Sequence, residues 1–202
     1  ILTHALKRLE AVGVTDVVIN THHLADKIER HYKDYDGAAL HFSREEKLLE
    51  TGGGVKKALS MLGDKPFLVV NSDAFWLNGP TDALARLAMQ WVPDMMDALL
   101  MFHSTVDAYG YDGLGDFRCE ADGKLIRRVE QEVAPWLFTG VQILDPKTLQ
   151  NAPEDSFSLN WVYDRALEQD RLFGLIHDGE WFHIGTPDGL NEAEHYMQTT
   201  FA

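Results

Sequence analysis

With 202 residues, 45% hydrophobic and 25% charged, the chain is long enough to bury a substantial core in one domain, taken as 1–202. Thirty-two acidic residues against eighteen basic leave a formal charge of -14, and the basic residues do not cluster, which argues against nucleic acid or an anionic membrane as partner. The single cysteine, Cys119, rules out an internal disulfide framework; with no signal peptide at the start and no apolar run near the roughly 20 residues of a membrane span, the expected location is the cytoplasm.

Leu2, Leu6, Leu9 and Val12 repeat at helical spacing and Gly13 stops that helix before the β-rich run 16–20. Leu24, Ile28 and Tyr32 mark a second helix, 39–43 a strand, 55–61 a helix and 67–71 another strand. Thr81 is placed to cap a helix through Leu84 and Leu87, and 98–102 reads as a central strand. Short strands are expected around 121–123 and a longer one at 138–144, followed by a helix at 159–169, strands at 172–177 and 181–185, and a last helix from Pro187. Such alternation predicts an α/β fold of three layers, α/β/α, around a mixed, mostly parallel sheet. An α/β unit normally opens with a strand, whereas these residues open inside a helix, so roughly 25 residues are expected upstream.

Two places invite chemistry. The run Glu50, Thr51, Gly52, Gly53, Gly54 falls between a strand and a helix; it reads as a glycine-rich loop whose backbone could approach a flat ring or phosphate, with helix N–H groups behind it, or as an ordinary flexible loop. Asp73 follows the apolar strand at its carboxyl end, where open α/β sheets bind ligands and a carboxylate can hold Mg²⁺ against phosphate oxygens; a solvated helix cap is the plainer alternative.

Taken in order, "LETGGGVKKAL", "FLVVNSDAF", "FTGVQIL" and "WFHIGTPDGL" resemble, over essentially the whole chain, bacterial sugar-1-phosphate nucleotidyltransferases of the Rossmann-like glycosyltransferase-A superfamily. Within that family "ETGGG", "FLxVNxD" and "GDF" are similar to the uridylyltransferases of N-acetylmuramic acid phosphate, with the mannose- and heptose-phosphate guanylyltransferases next. The resemblance implies an enzyme that joins a sugar-1-phosphate to UTP or GTP, releases pyrophosphate and uses Mg²⁺. It implies that Glu50, Thr51, Gly52 and Gly53 contact the base, that Asp73 binds the catalytic Mg²⁺, and that Asn71, Gly115, Glu130, Thr139 and Gly140 line the sugar-phosphate side.

The chain departs from the family pattern at three points. Gln131 follows Glu130 where relatives carry a phosphate-binding lysine. His183 stands where most have a second metal-binding aspartate, and could be a weak metal ligand, a donor to phosphate when protonated, or a packed histidine. The family's glycine-rich signature, with the arginine and lysine that cradle the triphosphate, is not among these residues, so the 202 residues alone are expected to be inactive. A binding module or regulatory subunit that does not turn over is the rival reading. A glycosyltransferase of the same superfold would need an Asp-x-Asp motif, which Asn71-Ser72-Asp73 is not. Trp161, Tyr163 and Trp181 are assigned to the core, and His22 and His23 receive no role.

Overall fold

The computed structural model describes residues 1–200. Its elements run α1 (Leu2–Ala11), β1 (Asp16–Thr21), α2 (Ala25–His31), β2 (Ala39–Arg44), α3 (Glu50–Leu62), β3 (Phe67–Val70), β4 (Ala74–Leu77), α4 (Ala83–Gln90), β5 (Ala98–Ser104), β6 (Phe117–Cys119) and β7 (Leu125–Arg127). β8 (Trp136–Leu144), a 3₁₀ turn (Pro146–Leu149), α5 (Asn160–Glu168), β9 (Leu172–Ile176), β10 (Glu180–His183) and α6 (Pro187–Thr200) complete them.

Alternation along β5 builds the three layers. Ala98, Leu100 and Phe102 pack on one face with Val162 and Tyr163 of α5 and Val55 of α3. Leu99 and Met101 pack on the other with Leu84 and Leu87 of α4 and Leu9 of α1. Buried on both faces, β5 reads as a continuous apolar run rather than an alternating one.

The main sheet is mixed, as expected. β8 runs antiparallel to β5 along one edge, while its other edge is divided between β3, which pairs with 141–144, and β6, which pairs at Trp136. β9 runs parallel to β5, so β3, β5, β6 and β9 share one direction and β7 and β8 run against it. β1 and β2 form a separate parallel pair. β1 and β3 are not hydrogen-bonded to each other, and a cavity of about 840 Å³ lies between them, lined by Leu2, Leu6 and Leu9 of α1 and by Val55, Ala58 and Leu62 of α3.

Three expectations are corrected. The run 50–54 lies inside the first turns of α3 rather than in a loop, because tertiary contacts described below replace the helix propensity that three glycines lack. The cap of α4 is Asp82, one residue after Thr81: its Oδ1 accepts from Leu84 N (2.9 Å) and Ala85 N (3.0 Å), and a carboxylate at that position satisfies two of the helix's open donors. β4 has no counterpart in the sequence reading, since its burial comes from pairing with β10, more than a hundred residues away in the chain.

Two buried histidines bring β10 to β4. Nε2 of His177 lies 3.0 Å from the Leu77 carbonyl and Nε2 of His103 lies 3.1 Å from that of Gly179, so both clamp the β9–β10 connection over the end of β4. Burial holds His177 below the ordinary histidine value, with the neighbouring His103 adding to that. The folded chain therefore takes up this proton less readily than the unfolded chain, and the associated stability is complete above the ordinary value of about 6.5 and is lost as pH falls below it. In urea unfolding, His177→Gln, which keeps a donor for Leu77 but does not titrate, should flatten the decline in stability between neutral pH and pH 5; an unchanged slope would remove His177 as its source.

Candidate active site

The start of α3 is held from two sides. Gly52 N and Gly53 N both donate to the Phe157 carbonyl (2.9 and 3.0 Å), and Phe157 N donates to Leu49 O. A Cβ on Gly52 would overlap the Phe157 ring, and one on Gly54 would stand 2.8 Å from Glu45 Oε1. The glycines thus admit neighbouring chain rather than a ligand, and the helix N–H groups at 52 and 53 are occupied. All three glycines are buried, which corrects the expectation that they present backbone to a ring or phosphate. What remains open is Glu50, exposed and held in a left-handed conformation at φ 58°. The Thr51 hydroxyl accepts from Leu159 N (3.1 Å).

Glu45, buried just after β2, supports this turn. It accepts from Leu49 N (3.0 Å) and from Asn20 Nδ2 (3.2 Å), while Asn20 also donates to Gly54 O (2.9 Å). Glu50, Thr51, Asn71 and Ser72 line the same cavity as β1 and β3.

The second half is built where β8 changes partner. The register between β5 and β8 shifts after Leu100, and Gly140 takes φ 84° there. Asn71 N donates to Gly140 O (2.8 Å), and a Cβ on Gly140 would press on the Asn71 side chain at 2.9 Å, so glycine lets Asn71 lie against the strand. Thr139 is corrected from the sugar side to the core: its hydroxyl donates to Met101 O (2.8 Å) and its carbonyl accepts from Trp181 Nε1 (3.0 Å).

Asp73 is exposed in the tight connection between β3 and β4, and its carbonyl accepts from Ile184 N (3.1 Å). Since His183 pairs with Ala74, the two candidate ligands are delivered by adjacent backbones. A Cβ on Gly185 would stand 3.0 Å from His183 Nε2 and 3.7 Å from Asp73 Oδ2, so both side chains face the space that this glycine leaves. His183 is half-buried and lies near-parallel to the Trp181 ring at 6.1 Å. Among the described residues no group of three or more His, Cys, Asp or Glu could hold a metal by itself.

Gly115 and Glu130 belong to a separate lobe carried by β6 and β7. Gly115 N donates to the Tyr111 hydroxyl (3.1 Å), and Glu130 is exposed in the turn after β7. Sequence reasoning missed Glu45, Asn20, Tyr111, Phe157 and Arg128, all of which hold site segments through the backbone. Such contacts carry no motif and no short-range spacing.

An α/β/α core built on a mixed sheet is the fold of solved nucleotidyltransferases. A solved UDP-glucose pyrophosphorylase with UDP-glucose bound superposes with a TM-score of 0.75 at 13% identity, covering 98% of this chain and 86% of that one. The chain is 35% identical over 199 residues to N-acetylmuramate alpha-1-phosphate uridylyltransferase of Caulobacter vibrioides, covering 96% of this chain and 82% of that protein. A mannose-1-phosphate guanyltransferase of Candida albicans is 36% identical over 198 residues, where the chain spans 52% of the relative. No family model matches the chain. The chain belongs to the sugar-1-phosphate nucleotidyltransferases and is an enzyme of that family.

Two substitutions check the local geometry. Gly52→Ala, despite its better helix propensity, should lower unfolding stability by about 1–3 kcal/mol through overlap with Phe157. Thr139→Val leaves Met101 O without its side-chain donor and should lower stability by about 1–3 kcal/mol. Denaturant titration reads both, and a neutral Gly52→Ala would mean that the close approach of Phe157 is dispensable.

Proposed function

We propose that the chain joins N-acetylmuramate 1-phosphate to UTP, giving a nucleotide sugar and pyrophosphate. The observation that supports this most is the convergence of Asp73, His183, Asn71 and Gly140 at the carboxyl end of β3, with Glu50 on the rim of the cavity that Asn71 lines. The 35% identity along 96% of the chain supports the choice of sugar and base. Glu50 accepts from the N–H edge of the base, and Asn71, Gly115, Gly140 and Glu130 take the sugar phosphate.

An oxygen of the sugar 1-phosphate attacks the α-phosphorus in line; the new P–O bond forms as the bond to the bridging oxygen breaks, and that oxygen's electron pair leaves with pyrophosphate. The nucleophile is already an anion, so no general base is needed and catalysis rests on positioning and charge. The donor set, one carboxylate and one imidazole facing one space, suits Mg²⁺ only as an ion that arrives with phosphates, which is how Mg²⁺ is commonly held. When bound, Mg²⁺ would neutralise charge developing on the phosphates. Asp73 would supply the hard oxygen ligand, and His183 the second contact.

Pyrophosphate release across UTP, GTP and other triphosphates, each paired with several sugar 1-phosphates, tests the reaction. Turnover of GTP with mannose 1-phosphate alone would move the reading to a guanylyltransferase, and tight binding without turnover to a regulatory module, which His183 and Gln131 favour. Asp73→Asn should lower kcat by about 100-fold or more with little change in melting temperature. His183→Asp should lower the Mg²⁺ concentration giving half-maximal rate; an unchanged requirement with unchanged stability would take His183 out of the metal environment.

A further inference from the structure

Among the described residues, Arg128 is the one basic side chain hydrogen-bonded to both segments of the lobe holding Gly115 and Glu130. Its Nε donates to Gly115 O (3.0 Å), and its Nη1 faces the carbonyls of Val129 (3.2 Å), Glu130 (2.9 Å) and Glu132 (3.1 Å). The backbone joins in: Arg128 N donates to Asp116 O (3.0 Å), and Ala134 N to Leu114 O (2.7 Å). Gly115 meets the guanidinium at φ 72°, where a Cβ would overlap the Ala134 carbonyl.

The chemistry of this cluster is specific to arginine. Carbonyls in an irregular loop need donors that no regular element provides, and a planar guanidinium offers five N–H groups in a fixed fork, against the three mobile donors of an ammonium. Arg128 is half-buried, which strengthens these bonds relative to a solvated surface contact. Glu132, whose carbonyl Arg128 holds, is also ion-paired through its carboxylate to Arg118, so the turn 129–132 is tied at both ends. The other sugar-side residues, Asn71 just after β3 and Gly140 on β8, make no hydrogen bond with Arg128.

We infer that Arg128 is a positioning residue for the sugar-phosphate half of the site: it fixes Gly115 and the turn carrying Glu130 relative to one another and leaves the nucleotide half, on α3, untouched. This rests on the proposed function for the meaning of the site, and on the four carbonyl contacts for the clamp itself.

The test compares wild type with Arg128→Met and Arg128→Lys in the full-length enzyme. With each substrate varied at saturation of the other, Arg128→Met should raise KM for the sugar 1-phosphate about tenfold or more while KM for the triphosphate stays within about twofold, the size expected for loss of charged hydrogen bonds. Arg128→Lys should fall between, and millimolar guanidinium should restore part of the lost affinity to Arg128→Met but not to wild type. Hydrogen exchange read by mass spectrometry should speed up in 113–117 and 128–134 and stay unchanged in 49–55. Equal rises in both KM values, or an unchanged KM for the sugar phosphate, would overturn the proposal. If the wild type turns over no substrate pair, the functional reading fails, and exchange alone decides the clamp: faster exchange in those two segments supports it and unchanged exchange rejects it.

Discussion

The structure depends on one strand whose pairing changes partway along. β8 runs against β5 on either side of a register shift, and its opposite edge belongs to β3 over 141–144 and to β6 at Trp136. At the shift, residues 139–141 have no ladder partner on β5, and the chain resolves this with a left-handed glycine, Gly140, and a Thr139 hydroxyl bonded to Met101 O of β5. Where a sheet divides in this way the strands part and leave a crevice, and a crevice at strand carboxyl ends is where α/β enzymes place ligands. Asn71 reaches that crevice because Gly140 has no side chain.

From the same division follow the two lobes. β3 continues through a tight turn into β4, whose pairing with β10 brings His183 beside Asp73. β6 and β7 hang from the other end of β8 and carry Gly115 and Glu130. The segment proposed for the nucleotide is separate again, at the start of α3, held by Phe157 and Glu45. Three chain segments far apart in sequence must therefore agree in position, which explains why so many contacts at the site run from backbone to distant backbone.

Electrostatics works against anionic substrates at long range. Among the described residues eight lysines and arginines are matched to acids in ion pairs: Arg44 with Asp26 and Glu29, Lys56 with Glu154, Arg86 with Asp178, Arg118 with Glu132, Lys124 with Asp170, Arg127 with Asp164, Lys147 with Asp145 and Arg171 with Asp97. At a net charge of -14 no broad positive field remains to draw in a nucleotide or a sugar phosphate. Affinity for phosphate has to be local, through directed hydrogen bonds or placed charges, and such sites lose little to salt compared with steering by net charge.

Local sequence determined the layers. The apolar run of β5, the helical spacing of α1 and the punctuation by Gly13 and Pro187 are short-range patterns, and each was legible because hydrophobic burial imposes a period on neighbouring residues. Asp73 was legible too, since a carboxylate straight after an apolar strand marks the strand's end. What the chain could not reveal residue by residue was anything that depends on partners far along it. Whether 50–54 would be loop or helix was decided by the Phe157 carbonyl and the Glu45 carboxylate, and whether Thr139 would face a ligand or the core was decided by the Met101 carbonyl. The helix cap fell to Asp82 rather than Thr81 because its carboxylate oxygen reaches two amides, and β4 exists only because β10 returns to pair with it. Hydrogen bonds between distant backbones leave no period in the sequence, so these features became visible only in the folded chain.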